Sequence, residues 1–163
     1  MPVSPHSPDN DDCQFLTAHG AAVDVRLESR IGERPTLFLL GNRAGLLSVA
    51  NILLWFVSNA WRREFLSLAE LPLIRLHGLL SVTIRLTLSG DTGRDGIISF
   101  LDRGEQLEWA VTECDLRRIA IALHGLVAAP HREYFQPWVE DTSAVGIEVR
   151  MVDAAAWIER GRA

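Results

Sequence analysis

The chain has 163 residues, 48% of them hydrophobic and 23% charged, with a formal net charge of −5. That length suits one domain with a full core and no need of a disulfide or metal staple. Its 16 basic residues are all Arg and lie scattered rather than in a basic stripe, which argues against a nucleic-acid partner, while the modest negative charge is compatible with a basic protein partner.

Cys13 and Cys114 are isolated thiols with no CxxC or Cys/His spacing, so neither a disulfide framework nor a zinc site is expected, and a reducing cytoplasm fits the composition. The first residues carry neither a basic nor an apolar leader pattern, and Ile52–Val57 is far shorter than the ~20 residues that span a bilayer, so no membrane role is expected. Residues 1–12, rich in Pro and Asp, read as a flexible tail, and 13–163 as a single domain.

In chain order, Cys13–Ala18 is a candidate strand. Val23, Val25 and Leu27 then alternate with Asp24, Arg26 and Glu28, the pattern of a strand with one wet face. Thr36–Leu40 is a near-continuous apolar strand. Gly41 eases the change of direction, and Asn42 is a good helix N-cap because its side-chain oxygen can accept from a first-turn N–H. From there to about Arg62 the spacing predicts the longest helix of the chain. Leu46, Val49, Ala50, Leu53, Val57 and Ala60 form one face, widened by Leu47, Leu54 and Trp61 on one side and by Ile52 and Phe56 on the other. The apolar arc covers roughly 220°, more than the ~100° of a helix buried from one side, so cover from several directions is expected.

Trp55 falls inside the remaining polar strip, among Ser48, Asn51, Ser58, Asn59 and Arg62. Such a Trp is either the anchor of a protein interface, with Asn51, Ser58 and Arg62 as its frame, or a ring lying under a loop with its indole N–H satisfied locally.

Beyond the helix, 64–76 fits both a strand and one more helical turn, and Pro72 forbids an uninterrupted central strand there. Val82–Leu88 alternates cleanly, residues 89–96 form a turn cluster, Ile97–Leu101 returns as the second arm of a hairpin, and Leu107, Trp109 and Val111 share one face of a further strand. Thr112 opens a second helix, with Asp115 three residues on in a capping pattern. Leu116, Ile119, Ala120, Leu123 and Leu126 make its apolar face, and Gly125 and Pro130 bracket its end. Ile147, Val149 and Met151 alternate in a last strand, and 153–160 suggests a short terminal helix.

Residues 36–88 and 106–152 share one order: strand, polar cap, helix, extended segment, strand. A slide of 70 positions puts Leu116 on Leu46, Ile119 on Val49, Ala120 on Ala50, Leu123 on Leu53 and Phe135 on Phe65. The expected fold is therefore α+β, a largely antiparallel sheet with two main helices packed on one face and an internal β-α-β duplication as one origin.

For chemistry, the sharpest local match is Asp91–Asp102, which resembles a calcium-binding EF-hand loop in its Asp91, Asp95, Gly96, Ser99 and Asp102. Gly93 stands where a ligand is usual, Asp102 replaces the bidentate Glu, and the flanks are strands, so a hairpin turn rich in Asp and Gly is the simpler reading. Cys114 sits near a helix N-terminus beside Glu113 and Asp115, which oppose a thiolate. His77, His124 and His131 have no paired ligand spacing, and no catalytic signature or cofactor fingerprint occurs. No enzyme activity, metal or cofactor is expected.

The string LGNRAGLLSVA at Leu40–Ala50 resembles a pattern of small immunity proteins of bacterial toxin–immunity systems, in which a strand ends in Gly and a Gly-Leu pair opens a helix with small residues every few positions. The resemblance covers about 36–88. The family carries histidines after the helix, whereas Trp61–Leu68 has none. The resemblance implies a non-catalytic cytosolic protein that binds and blocks a cognate toxin. A calcium- or metal-binding protein using Asp91–Asp102 and a self-associating subunit, such as a homodimer through the first helix, are the rival readings.

Overall fold

The computed structural model describes residues 16–29, 32–59, 65–87, 97–101, 105–128, 134–135 and 145–152. Its elements run β1 (Val23–Glu28), β2 (Thr36–Gly41), α1 (Arg43–Ser58), β3 (Phe65–Ser67), a 3-10 turn (Leu68–Glu70), β4 (Ile74–His77), β5 (Ser81–Thr87), β6 (Ile97–Leu101), β7 (Gln106–Thr112), α2 (Glu113–Ala128), β8 (Tyr134–Phe135) and β9 (Gly146–Met151). The content is mixed α+β, as expected. The strands do not make one sheet, however. They divide into a five-stranded sheet, ordered β4-β1-β2-β9-β8, and a four-stranded sheet, ordered β3-β5-β7-β6. The hairpins β1–β2 and β6–β7 are antiparallel, as are β3–β5 and β8–β9, while β4 on β1, β9 on β2 and β5 on β7 are parallel.

Alternation explains which face each sheet buries. Val23 and Val25, Leu37 and Leu39, Ile147 and Val149, and Ile74 point one way in the five-stranded sheet and are buried. Leu66, Val82, Ile84, Leu107, Trp109, Val111 and Ile98 do the same in the other. Together with the apolar faces of α1 and α2 they form a single continuous core.

The two halves of the chain are related element by element. In each, a hairpin runs through one polar residue into a 16-residue helix, and the helix is followed by a short strand and then a final strand. The final strand β5 leaves its own half to pair with β7, and β9 leaves its half to pair with β2. Each sheet is thus a hairpin from one half completed by two strands from the other, with β4 added at one edge. The helices fall at an offset of 70, since Arg43–Ser58 answers to Glu113–Ala128. All six buried residues of α2 (Leu116, Ile119, Ala120, Leu123, Leu126 and Val127) match buried residues of α1. The strand registers correct one expected pairing. Phe65 lies opposite Arg85 as Tyr134 lies opposite Arg150, so Tyr134 rather than Phe135 is the counterpart of Phe65.

α1 is shorter than its apolar pattern, ending at Ser58 rather than near Arg62. Asn59 stops it: its backbone N–H and its side-chain amide both donate to the Trp55 carbonyl, and the Ser58 hydroxyl turns back to the Leu54 carbonyl. Of the segment read as 64–76, residues 65–77 form a short strand, a single 3-10 turn and β4, which starts two residues after Pro72. Leu16–Ala18, read in the sequence as the end of a strand, is a turn and irregular backbone. It lies instead against α1, where the Ala18 N–H donates to the Ser48 hydroxyl at 2.9 Å.

Candidate functional site

The string LGNRAGLLSVA is a seat for the segment 18–22. The Asn42 side-chain oxygen accepts from Gly45 N–H at 2.7 Å, capping α1, and from Ala22 N–H at 3.2 Å, while its amide donates to the Gly20 carbonyl at 2.8 Å. Gly45 lets the segment come close, because a Cβ there would stand 2.3 Å from the Ala22 carbonyl oxygen. One turn on, Ser48 is buried by its bond to Ala18, although the wheel placed it on the polar strip. The residues that carry the family resemblance are therefore engaged within the chain.

Cover from this segment, from α2 and from the sheets explains the wide apolar arc. Only Arg43, Asn51 and Ser58 of α1 are exposed. Trp55 lies between the last two along the helix, half-buried, with part of its ring packed on the core. Asn51, Trp55 and Ser58 are spaced i, i+4, i+7 and form one line on a helix whose one other exposed residue, Arg43, is at its start. Arg62, expected to join them, lies outside the described residues, as does most of the Asp91–Asp102 loop. Cys114 is exposed with a free thiol.

A second cluster was not singled out from the sequence. On the outer face of the five-stranded sheet, Asp24 is 3% exposed. Parallel pairing of β1 with β4 sets Arg75 beside Asp24 and His77 beside Arg26. His77 Nε2 lies 2.8 Å and Arg75 Nε 3.1 Å from Asp24 Oδ1, and Arg26 Nη2 stands 3.8 Å from Oδ2. Across β2, Arg150 Nε bonds Glu148 at 2.8 Å, and its guanidinium lies over the Phe38 ring, 5.8 Å from the centroid. The carboxylates sit deep, with side chains 4% and 11% exposed, while their partners reach outward, at 51% for Arg75, 43% for His77 and 53% for Arg150. Alternation marked Asp24 and Arg26 as a wet face; only the partner strand reveals that Arg75 and His77 bond to Asp24. The four-stranded sheet has a simpler counterpart, in which Arg85, at the position of Arg150, bonds Glu108 at 2.8 Å.

Among the described residues no three His, Cys, Asp or Glu side chains gather as metal ligands, and no helix is long and apolar enough to cross a membrane. Set against protein-family models, curated proteins and solved structures, the chain matches none.

Proposed function

We propose that this chain is a non-catalytic protein-binding module whose contact includes the open line of α1 at Asn51, Trp55 and Ser58. One observation carries the reading: a half-buried Trp between two exposed polar side chains, on a helix whose one other exposed residue is Arg43 at its start. A Trp packed against the core is already ordered, so a partner that covers the rest of it costs little side-chain freedom. Within this class, the resemblance at Leu40–Ala50 favours an immunity protein that binds a cognate toxin in the cytoplasm, with Arg62 extending the contact beyond Ser58.

Co-expression of the tagged chain with the product of the adjacent reading frame tests both levels. A toxin-like product that co-purifies, and whose growth arrest the chain relieves, is the expected outcome. Asn51→Arg combined with Ser58→Arg should weaken that complex at least ~10-fold by crowding the Trp. These are surface positions, so stability should change by less than about 0.5 kcal/mol per site. Undiminished binding by the double variant rules out the α1 contact, and failure of any adjacent product to bind removes the immunity reading.

A further inference from the structure

We infer that this chain self-associates through the exposed face of α2, its partner being the same helix of a second copy, set antiparallel across a two-fold axis. α2 turns Cys114, Arg117, Arg118, Ile121, Gly125 and Ala128 to solvent along one side. Ile121 and Gly125 straddle the middle of that side, one turn apart at i and i+4. Ile121 is 66% exposed, the most of any large hydrophobic side chain among the described residues. Gly125 is its opposite. Gly weakens a helix interior, and packing within the chain gives no reason for one here, because nothing lies within 4 Å of the point where a Cβ would stand. At Gly45 of α1 the reason is plain, since the Ala22 carbonyl fills that point. α1 lacks the pair altogether, with Asn51 and Trp55 at the equivalent positions.

Side by side on one helix, this knob and this hole cannot fill each other; between two copies they can. When two α2 helices cross antiparallel about a two-fold axis level with Leu123, Ile121 of each lies on Gly125 of the other, and both contacts form together. The missing Cβ lets the helices approach closely, so that backbone covers the Ile side chain. A foreign partner would have to supply both complements, which this chain already carries. The charges agree with the same register. Arg117 of each copy comes to the last turn of the other helix, whose terminal carbonyls have no intrahelical donor and which has no basic residue of its own. Arg118 bonds Asp115 of its own helix at 3.6 Å. One helix crossing covers less than the ~800 Å² per partner of a stable interface, so the dimer is weak, with a dissociation constant on the order of 100 µM. None of these residues belongs to the α1 line, so either contact can fail without the other.

Sedimentation equilibrium of the full chain provides the test. The weight-average mass should rise from 18.1 kDa at low micromolar concentration toward twice that value near millimolar. Gly125→Leu fills the hole and Ile121→Ala removes the knob. Each change occurs twice in a symmetric dimer, and each should weaken association at least ~10-fold. Mixed together, the two variants should associate again: the larger side chain of one then meets the smaller one of the other, while the second contact keeps Ile121 on Gly125. Asn51→Arg with Ser58→Arg should leave self-association unchanged. A chain that stays monomeric throughout, single variants that associate like the native chain, or a mixture that does not recover overturns the proposal. Loss of association in the Asn51→Arg, Ser58→Arg variant would place the contact on α1 and overturn it too, while the protein-binding reading stands. Both α2 positions are open to solvent, so neither change should disturb the fold, which circular dichroism checks.

Discussion

The Asn42 side chain makes three hydrogen bonds, to the first turn of α1 and to both ends of the Gly20–Ala22 loop. Its role as N-cap was legible from the sequence, but its two long-range bonds were not, because nothing local says that residues 18–22 return to that helix. Asn42→Ala should therefore cost more than a simple cap, about 2 kcal/mol by chemical denaturation rather than the ~1 kcal/mol of capping alone. Glycine supplies a sharper test, because two helix positions predict opposite signs. In a helix, Gly→Ala normally gains up to about 1 kcal/mol. Gly125 of α2 has open space where a Cβ would go, so Gly125→Ala should stabilise by that amount. Gly45 of α1 has the Ala22 carbonyl oxygen 2.3 Å from that point, with the Ala22 carbonyl carbon at 2.9 Å, so Gly45→Ala must push backbone away from backbone. It should destabilise by about 1–3 kcal/mol. Denaturation midpoints of the two variants, moving in opposite directions, check this; a stabilised Gly45→Ala would mean that the segment does not lie there.

At the level of elements, the sequence displayed its strands and helices through periodicity but not their partners. β5 and β7 were both readable from alternation, as was the capping of α2, where Asp115 N–H donates to the Thr112 hydroxyl at 3.2 Å and that hydroxyl donates to the Asp115 carboxylate at 3.0 Å. The parallel pairing of β5 with β7 was hidden, since period-two alternation is the same whichever neighbour a strand takes. The Asp24 cluster was hidden for the same reason: it exists only because β4 lies on β1. The breadth of the α1 apolar arc did carry long-range information, correctly implying cover from several sides. That cover has a dynamic consequence. α1 exposes only Arg43, Asn51 and Ser58, whereas α2 exposes Glu113, Cys114, Arg117, Arg118, Ile121, Gly125 and Ala128. Amides open most readily where few buried contacts must break. In hydrogen–deuterium exchange, the core turns of α1 should exchange with the slowest amides of the chain, and the solvent-side amides of α2 measurably sooner. Equal protection along both helices would show that α1 is not the more deeply held of the two.

For the whole molecule, the exchange of final strands makes the two halves interdependent. The hairpin β1–β2 meets β9 and not β5, and the hairpin β6–β7 meets β5 and not β9. Either half alone would leave one edge of its hairpin without a neighbour and its final strand without a sheet, and its helix would lose the other helix as cover. Exposed strand edges and an uncovered apolar helix are states that associate rather than persist. The repeat read in the sequence as two consecutive units is thus folded as two interlocked ones, an arrangement that suits a fused pair of identical subunits. Fragments 1–92 and 93–163, divided between β5 and β6, should each fail to give a monomer with the native circular dichroism spectrum. Co-expressed, they should co-purify one to one and recover it. The bonds between the fragments are the two parallel ladders and the helix–helix contact, all of long sequence separation, so assembly should be slower than folding of the intact chain and concentration-dependent. Tagging one fragment and following recovery by stopped-flow fluorescence of the tryptophans measures both. Independent folding of either fragment as a stable monomer would mean that its sheet closes without the other half, and the exchanged topology would have to be abandoned.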